Sequence, residues 1–371
     1  MSDRKKRILV FRIGQLGDTI IALPAMRAIK THFPDAHLAL LSDSHPGESY
    51  VLASDLLSGS ELFDEFLSYR IHANKVSRLW SMAFLLAVIR AKGFDTLVYL
   101  APTARSKAQI NRDRRFFRLA GIKHFIGVKK FAALPRKIPG RPMERVKSEA
   151  DLLLARLKAD DIPVPAPGEA RAQIRLGSTE ETEVARWLSH LPSDDGRPWI
   201  GVGPGSKMPA KRWPEDRFRQ VVKKLIEESD IWPVIFGGTE DAKLGERLIS
   251  AWGRGFNAAG ALSLRGSAAA LKRCLFLLTN DTGTMHLGAA MDVQCIALFS
   301  SRAPPGLWNP LGNNHVLFRS DIECEGCGLT ECLEYRNECL NRISTTDVLK
   351  ACRAILSTSL RDISAGTAGM C

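Results

Sequence analysis

No stretch of this 371-residue chain is long and apolar enough to span a bilayer as a helix. The longest, residues 79–89, is short and carries Ser81. The N-terminal MSDRKKRILVF offers charge and a brief apolar run, but Arg12 and Asp18 interrupt it before a signal-peptide core forms. A cytoplasmic location is therefore expected, with the eight cysteines reduced or metal-bound rather than paired. The Gly-x-Gly-x-x-Gly spacing of a dinucleotide fingerprint is missing, as is the Gly-Lys-Ser/Thr ending of a Walker loop. Internal repeats and low-complexity tracts are also absent, which excludes solenoids and disordered scaffolds.

What remains is ordinary globular material, 45% hydrophobic and 25% charged. Its length suits two domains of roughly 150–200 residues each. Charge is unevenly placed. Between Arg105 and Lys147 fourteen Lys/Arg face only Asp113 and Glu144, which equals the +12 of the whole chain. Such a segment is either a solvated face or a docking surface for an anionic partner. Base stacking is not expected, because Phe116, Phe117, Phe125 and Phe131 fit helix or strand packing better.

Strand-like runs alternate with helical periodicity along the chain. In the first half the strands are expected at 7–13, 37–41, 96–100 and 125–128, with helices at 19–32 and 80–92. DIPVPAPGEA (161–170) reads as a connection. Strands are then expected at 199–202, 233–236, 276–278 and 295–299. Two βαβ arrays predict an α/β protein of two doubly wound, Rossmann-like parallel-sheet domains, over residues 1–170 and 171–350, with a C-terminal helix or tail at 351–371. Chemistry is then sought in the loops beyond the carboxyl ends of the strands.

Four loops qualify. GQLGDTIIALP (14–24) allows close backbone approach at Gly14 and Gly17 and presents Asp18, either a helix cap or a general base. GPGSKMPAKRWPE (203–215) combines an open backbone, Ser206 and the cations Lys207, Lys211 and Arg212, a set suited to a diphosphate. In TNDTGTMHLGAA (279–290), Asp281 is positioned to cap a helix whose amides at Thr282, Gly283 and Thr284 suit a pyrophosphate, with His286 in the first turn. In IFGGTED (235–241), Glu240 is placed either to cap a helix or to meet ribose hydroxyls.

The ordered set Leu16-Gly17-Asp18 with Pro24, Pro204-Gly205-Ser206 with Lys211-Arg212-Trp213-Pro214, and Asp281-Thr282-Gly283 with His286 resembles glycosyltransferase family 9, the lipopolysaccharide heptosyltransferases. The resemblance spans about residues 7 to 350 and implies a GT-B fold with an acceptor-side first domain and a donor-binding second. It implies Asp18 as catalytic base, Ser206 and Lys211 as phosphate ligands, and Glu240 as a ribose or base contact. Asp281, Thr282, Gly283 and His286 become the sugar-diphosphate cradle. The implied reaction is inverting transfer of heptose from ADP-heptose to a lipid-linked core acceptor. Another nucleotide-sugar donor, a binding protein without turnover, and an epimerase of the same fold are the alternatives. After the last strand, where the family usually reads Phe-Gly, Phe299 is followed by Ser300-Ser301 and then Arg302, and Gly288 stands where Ala is commoner.

No Asp-x-Asp triple occurs, so transfer is expected to need no divalent metal. Cys324, Cys327, Cys332 and Cys339 have the spacing of a structural metal site, or of a reduced cluster. Within the basic segment Arg114, Arg115, Lys129 and Lys130 are expected to meet the anionic acceptor. They would also hold the protein at the inner face of the cytoplasmic membrane without a hydrophobic anchor.

Overall fold

The structure, a computed structural model, describes residues 5–45, 51–71 and 74–368. Residues 369–371 of the expected tail lie outside them. The chain divides into two compact units, Met1–Leu134 with Val146–Ala172, and Pro135–Arg145 with Gln173–Cys371.

The first unit contains β1 (Arg7–Phe11), α1 (Leu16–His32), β2 (His37–Ser44), α2 (Ala53–Leu57), β3 (Glu65–Arg70), α3 (Lys75–Lys92), β4 (Thr96–Tyr99), α4 (Lys107–Leu119), β5 (His124–Ile126) and α5 (Glu149–Lys158). Its five strands run in the order β3-β2-β1-β4-β5, and every pairing is parallel. In β1, residues Ile8 to Phe11 are buried on both faces, which is why they read as an unbroken apolar run rather than an alternating one. Strand β3 was not visible in the sequence. It lies at the edge, half-exposed, and its polar Glu65, Ser68 and Arg70 dilute the apolar signal. Helix α1 begins three residues earlier than expected, at Leu16, and α3 five residues earlier, at Lys75, capped by the Asn74 side chain accepting from Val76 N–H.

The second unit contains α6 (Ser178–Leu188), β6 (Trp199–Gly203), α7 (Glu215–Ser229), β7 (Trp232–Ile235), α8 (Ala242–Trp252), β8 (Phe256–Asn257), α9 (Leu264–Leu271), β9 (Cys274–Asn280), α10 (Gly283–Ala290), β10 (Cys295–Phe299), β11 (Val316–Arg319), α11 (Glu338–Asn341) and α12 (Thr345–Ala368). Its all-parallel sheet runs β11-β10-β9-β6-β7-β8. Trp213, Phe218, Phe276 and Leu278 lie in its core, together with Val348 and Cys352 of α12. Gly288 explains itself by packing. A Cβ there would lie 2.7 Å from Leu277 Cδ2, so α10 sits closer to β9 than alanine permits.

Part of the basic segment departs from the expectation that all of it serves the first domain. Residues 135–145 pack with the second unit, where Met143 N–H donates to the buried Glu325 carboxylate (2.8 Å) and Lys137 Nζ pairs with it (3.3 Å). Glu325 also pairs with Arg319 at 3.0 Å, so two cations and an amide hold its carboxyl below the usual range against the cost of burial.

Candidate functional site

Each sheet changes winding direction at one place, and the singled-out loops converge there. In the first unit the reversal falls between β1 and β4. The loop after β1 turns at Gly14 with φ +115°, and a Cβ on Gly14 would lie 2.5 Å from Asp18 Cγ. Glycine is thus required both for the turn and for the carboxylate folded over it. Asp18 does not cap α1 as an N-cap would. It stands in the first turn and accepts from Gln15 N–H at 3.0 Å and from Arg12 Nη2 at 3.3 Å, with its side chain still 24% exposed.

Arg12 was not foreseen. It is 1% exposed and also donates to the Leu100 carbonyl (2.7 Å) beyond β4. Its charge acts on the buried Glu149, which accepts from Thr103 N–H at 2.9 Å, together with that of Arg156, which donates to Ala101 O at 2.8 Å. Burial pushes the Glu149 carboxyl up, and the two guanidiniums oppose that shift. Asp43 at the end of β2 accepts from Gly14 N–H at 2.9 Å and pins the glycine loop. None of these buried charges carries a sequence signal, because most of their partners lie in other elements, far away along the chain.

In the second unit the reversal falls between β9 and β6. Asn280 clasps the loop after β6 at both ends: its Nδ2 donates to Pro204 O (2.7 Å) and its Oδ1 accepts from Trp213 N–H (3.0 Å). Within the clasp, Arg212 Nε donates to Ser206 O at 2.7 Å, and Ser206 Oγ accepts from Met208 N–H at 3.1 Å. Lys211 Nζ pairs with Asp281 Oδ2 at 2.8 Å. Asp281 therefore does not cap α10 as its position suggested. Thr282 occupies the N-cap, and its side chain makes no bond to the helix amides. The start of α10, through Gly283 and Thr284, thus presents backbone donors beside Lys211 without a side-chain oxygen filling their place.

His286 is corrected as well. It is buried, and desolvation holds its imidazole down to about 4, with Asp281 opposing and Lys211 assisting. At neutral pH it is uncharged, so the positive charge near this loop comes from Lys207, Lys211 and Arg212. Glu240 is exposed in a short helical turn, Thr239–Asp241, before α8. Its neighbour Asp241 reaches further in: it accepts from Gly238 N–H at 3.1 Å, and a Cβ on Gly205 would overlap its carboxylate. Burial pushes the Asp241 carboxyl up.

The expected basic cluster is only partly a free surface. Lys129 pairs with Asp160 at 2.7 Å, Arg114 lies over the Phe125 ring at 5.8 Å, and Arg115 and Lys130 are exposed. Cys324, Cys327, Cys332 and Cys339 are free thiols, near enough that the last three assist burial in pushing Cys324 up. Among the described residues no group of three or more His, Cys, Asp and Glu is arranged to hold a metal ion.

Ser300 and Ser301, the departure after β10, are buried: Arg319 Nη1 donates to Ser300 O at 3.0 Å, and Ser301 Oγ donates to Ser320 O at 2.5 Å. They tie β10 to the segment after β11.

The sequence model of Glycosyltransferase family 9 (heptosyltransferase) matches residues 116–336, more than half of the chain. Lipopolysaccharide heptosyltransferase 2 of Salmonella typhimurium is 33% identical over 132 residues, covering 33% of this chain and only 37% of that protein. Lipooligosaccharide heptosyltransferase 2 of Campylobacter jejuni is 24% identical over 93% of this chain and 96% of its own. Among solved structures, a family 9 glycosyl transferase from Veillonella parvula superposes with TM-score 0.72 at 21% identity, covering 96% of this chain and 99% of its own. The E. coli ADP-heptose lps heptosyltransferase II gives 0.68 at 22%, covering 95% and 99%. At those identities the structures establish the fold, GT-B. By its sequence match and its two parallel-sheet units, the chain belongs to glycosyltransferase family 9, the heptosyltransferases.

Proposed function

We propose that this glycosyltransferase moves a heptose from ADP-heptose onto a lipopolysaccharide core acceptor in the cytoplasm, with inversion at the anomeric carbon. The observation carrying the reading is the Lys211–Asp281 pair at the side-chain-free start of α10, inside a loop clasped by Asn280. A diphosphate there would be met by Lys211, the Ser206 hydroxyl and the amides of Thr282, Gly283 and Thr284, with Glu240 at the ribose. Asp281 acts as a positioning residue that holds the ammonium in place.

In the transfer an acceptor hydroxyl attacks the anomeric carbon. The new C–O bond forms as the bond to the phosphate oxygen breaks, and the hydroxyl proton passes to the Asp18 carboxylate. Negative charge on the departing ADP is balanced by Lys211 and the helix amides rather than by a divalent cation. Pairing with Arg12 fixes the direction of the Asp18 carboxylate, which makes Arg12 a second positioning residue. Proton transfer to a well-placed base contributes about 10²–10⁴-fold.

The test is calorimetric titration of the full chain with ADP-heptose, UDP-linked and GDP-linked sugars, followed by turnover on heptose-deficient lipopolysaccharide. Preference for ADP-heptose, with affinity that falls in Lys211→Met, supports the reading. Equal affinity for the three nucleotides, or binding indifferent to Lys211, overturns it.

A further inference from the structure

Helix α3 is apolar on both sides. With about 3.6 residues per turn, Leu85 and Ile89 face the core of the first unit and are buried there. The opposite side carries Val76, Leu79, Trp80 and Phe84, which are 60%, 70%, 73% and 72% exposed. Ala83, Ala87 and Ala91 complete this outward arc, interrupted only by Arg90. Single exposed apolar residues are ordinary, but a whole outward face including a tryptophan and a phenylalanine is the mark of an interaction surface. The helix also contains no acidic residue.

Its neighbour supplies the opposite character. Arg90 Nη1 of α3 donates to the carbonyl of Leu119, the last residue of α4 and itself 66% exposed. The outward side of α4 carries Lys107, Arg112, Arg115 and Arg118, all exposed. Its one acid, Asp113, is buried and paired with Arg105 and Arg112. Adjacent helices thus present an aromatic-aliphatic face and a cationic face with no exposed carboxylate on either.

We infer that this surface docks onto an anionic lipid bilayer. Val76, Leu79, Trp80 and Phe84 lie in the interfacial layer, and the α4 arginines pair with anionic headgroups. An in-plane amphipathic element of Trp, Phe and Leu beside Lys and Arg is the composition that binds such interfaces, and apolar burial adds to electrostatic attraction. Charge complementarity selects the bilayer over a second copy of this chain, because a two-fold contact would set the α4 arginines against one another with no acidic complement. No helix among the described residues is long and apolar enough to cross the membrane, so the contact is peripheral. The inference differs from salt-bound adhesion by basic residues alone, because here a hydrophobic face carries part of the binding. It stands apart from the transfer reading, since the vesicles of the test contain neither donor nor acceptor.

The experiment is co-sedimentation of the full chain with phosphatidylglycerol–phosphatidylethanolamine vesicles and with phosphatidylcholine vesicles, at low salt and at half-molar salt. Screening at the higher salt confines charge effects to about 4 Å. Trp80→Ser/Phe84→Ser and Arg115→Glu/Arg118→Glu are compared with wild type after circular dichroism and melting confirm that each folds. The expected result is binding to anionic vesicles that half-molar salt weakens but does not abolish. The α3 variant should lose at least tenfold at both salts, while the α4 variant should lose most at low salt. Three results overturn the inference: no binding to anionic vesicles, unchanged binding in the α3 variant, or a lipid-free dimer that the same α3 substitutions dissociate.

Discussion

His286 gives the sharpest quantitative test of the second unit. Its imidazole is held at about 4 by burial, against 6.5 for the free side chain. Between those values the unfolded chain binds a proton that the folded chain refuses, so stability rises with pH across this window and is lost as pH falls. From the two values, linkage removes about 2 kcal/mol by pH 5 and about 3 kcal/mol by pH 4, relative to neutral pH. Below about pH 4 both states are protonated and this contribution stops changing. Replacing the ring in His286→Gln adds a constant packing cost but abolishes the slope. The assay is urea unfolding of wild type and variant from pH 7.5 to 4, followed by tryptophan fluorescence. The difference between the two curves isolates His286, since the raised carboxyl of Glu149, whose effect has the opposite sign, titrates in both proteins. A wild type that loses no more stability than His286→Gln between pH 6.5 and 4 would refute the argument that the ring is buried and neutral. Added ADP should narrow the gap, because a diphosphate beside Lys211 favours the protonated ring.

Asp18→Asn should fold and bind nucleotide while turnover falls about 10²–10⁴-fold in single-turnover assays; near-normal turnover would leave Asp18 a purely structural residue. Chelation with EDTA should leave transfer unchanged, and magnesium-dependent recovery of activity would show that a cation shares the leaving-group charge with Lys211. Arg12→Met removes one of the two guanidiniums that oppose the burial of Glu149 and leaves the Leu100 carbonyl without that donor, and should cost about 1–3 kcal/mol by chemical denaturation; unchanged stability would show that Arg156 alone balances the carboxylate. Gly288→Ala should cost about 1–3 kcal/mol by pushing Leu277 out of place, whereas unchanged stability would mean that α10 can move off the sheet.

The central strands and the glycine-bearing loops were legible in the sequence because their signals are local. A strand buried on both faces, such as β1 or β10, needs a continuous apolar run. A chain that turns sharply or lets a carboxylate fold over its backbone needs residues such as Gly14 and Gly205 at strand ends. The order of these loops was enough to reveal the family. Edge strands β3 and β11 were not legible, because one-sided burial and mixed polarity leave little pattern in four to six residues. The site's charge state was not legible either. Arg12, Asp43 and Glu149 become a network only because the sheet order sets β1 between β2 and β4. Asp281 pairs with Lys211 rather than capping α10, and His286 is neutral, through proximity and desolvation that spacing along the chain does not encode. Helix α3 makes the same point. Its sequence is apolar on two faces, so the pattern alone does not say which one is core, and only packing with Leu97 and Tyr99 decides which side is buried and which is left facing outward.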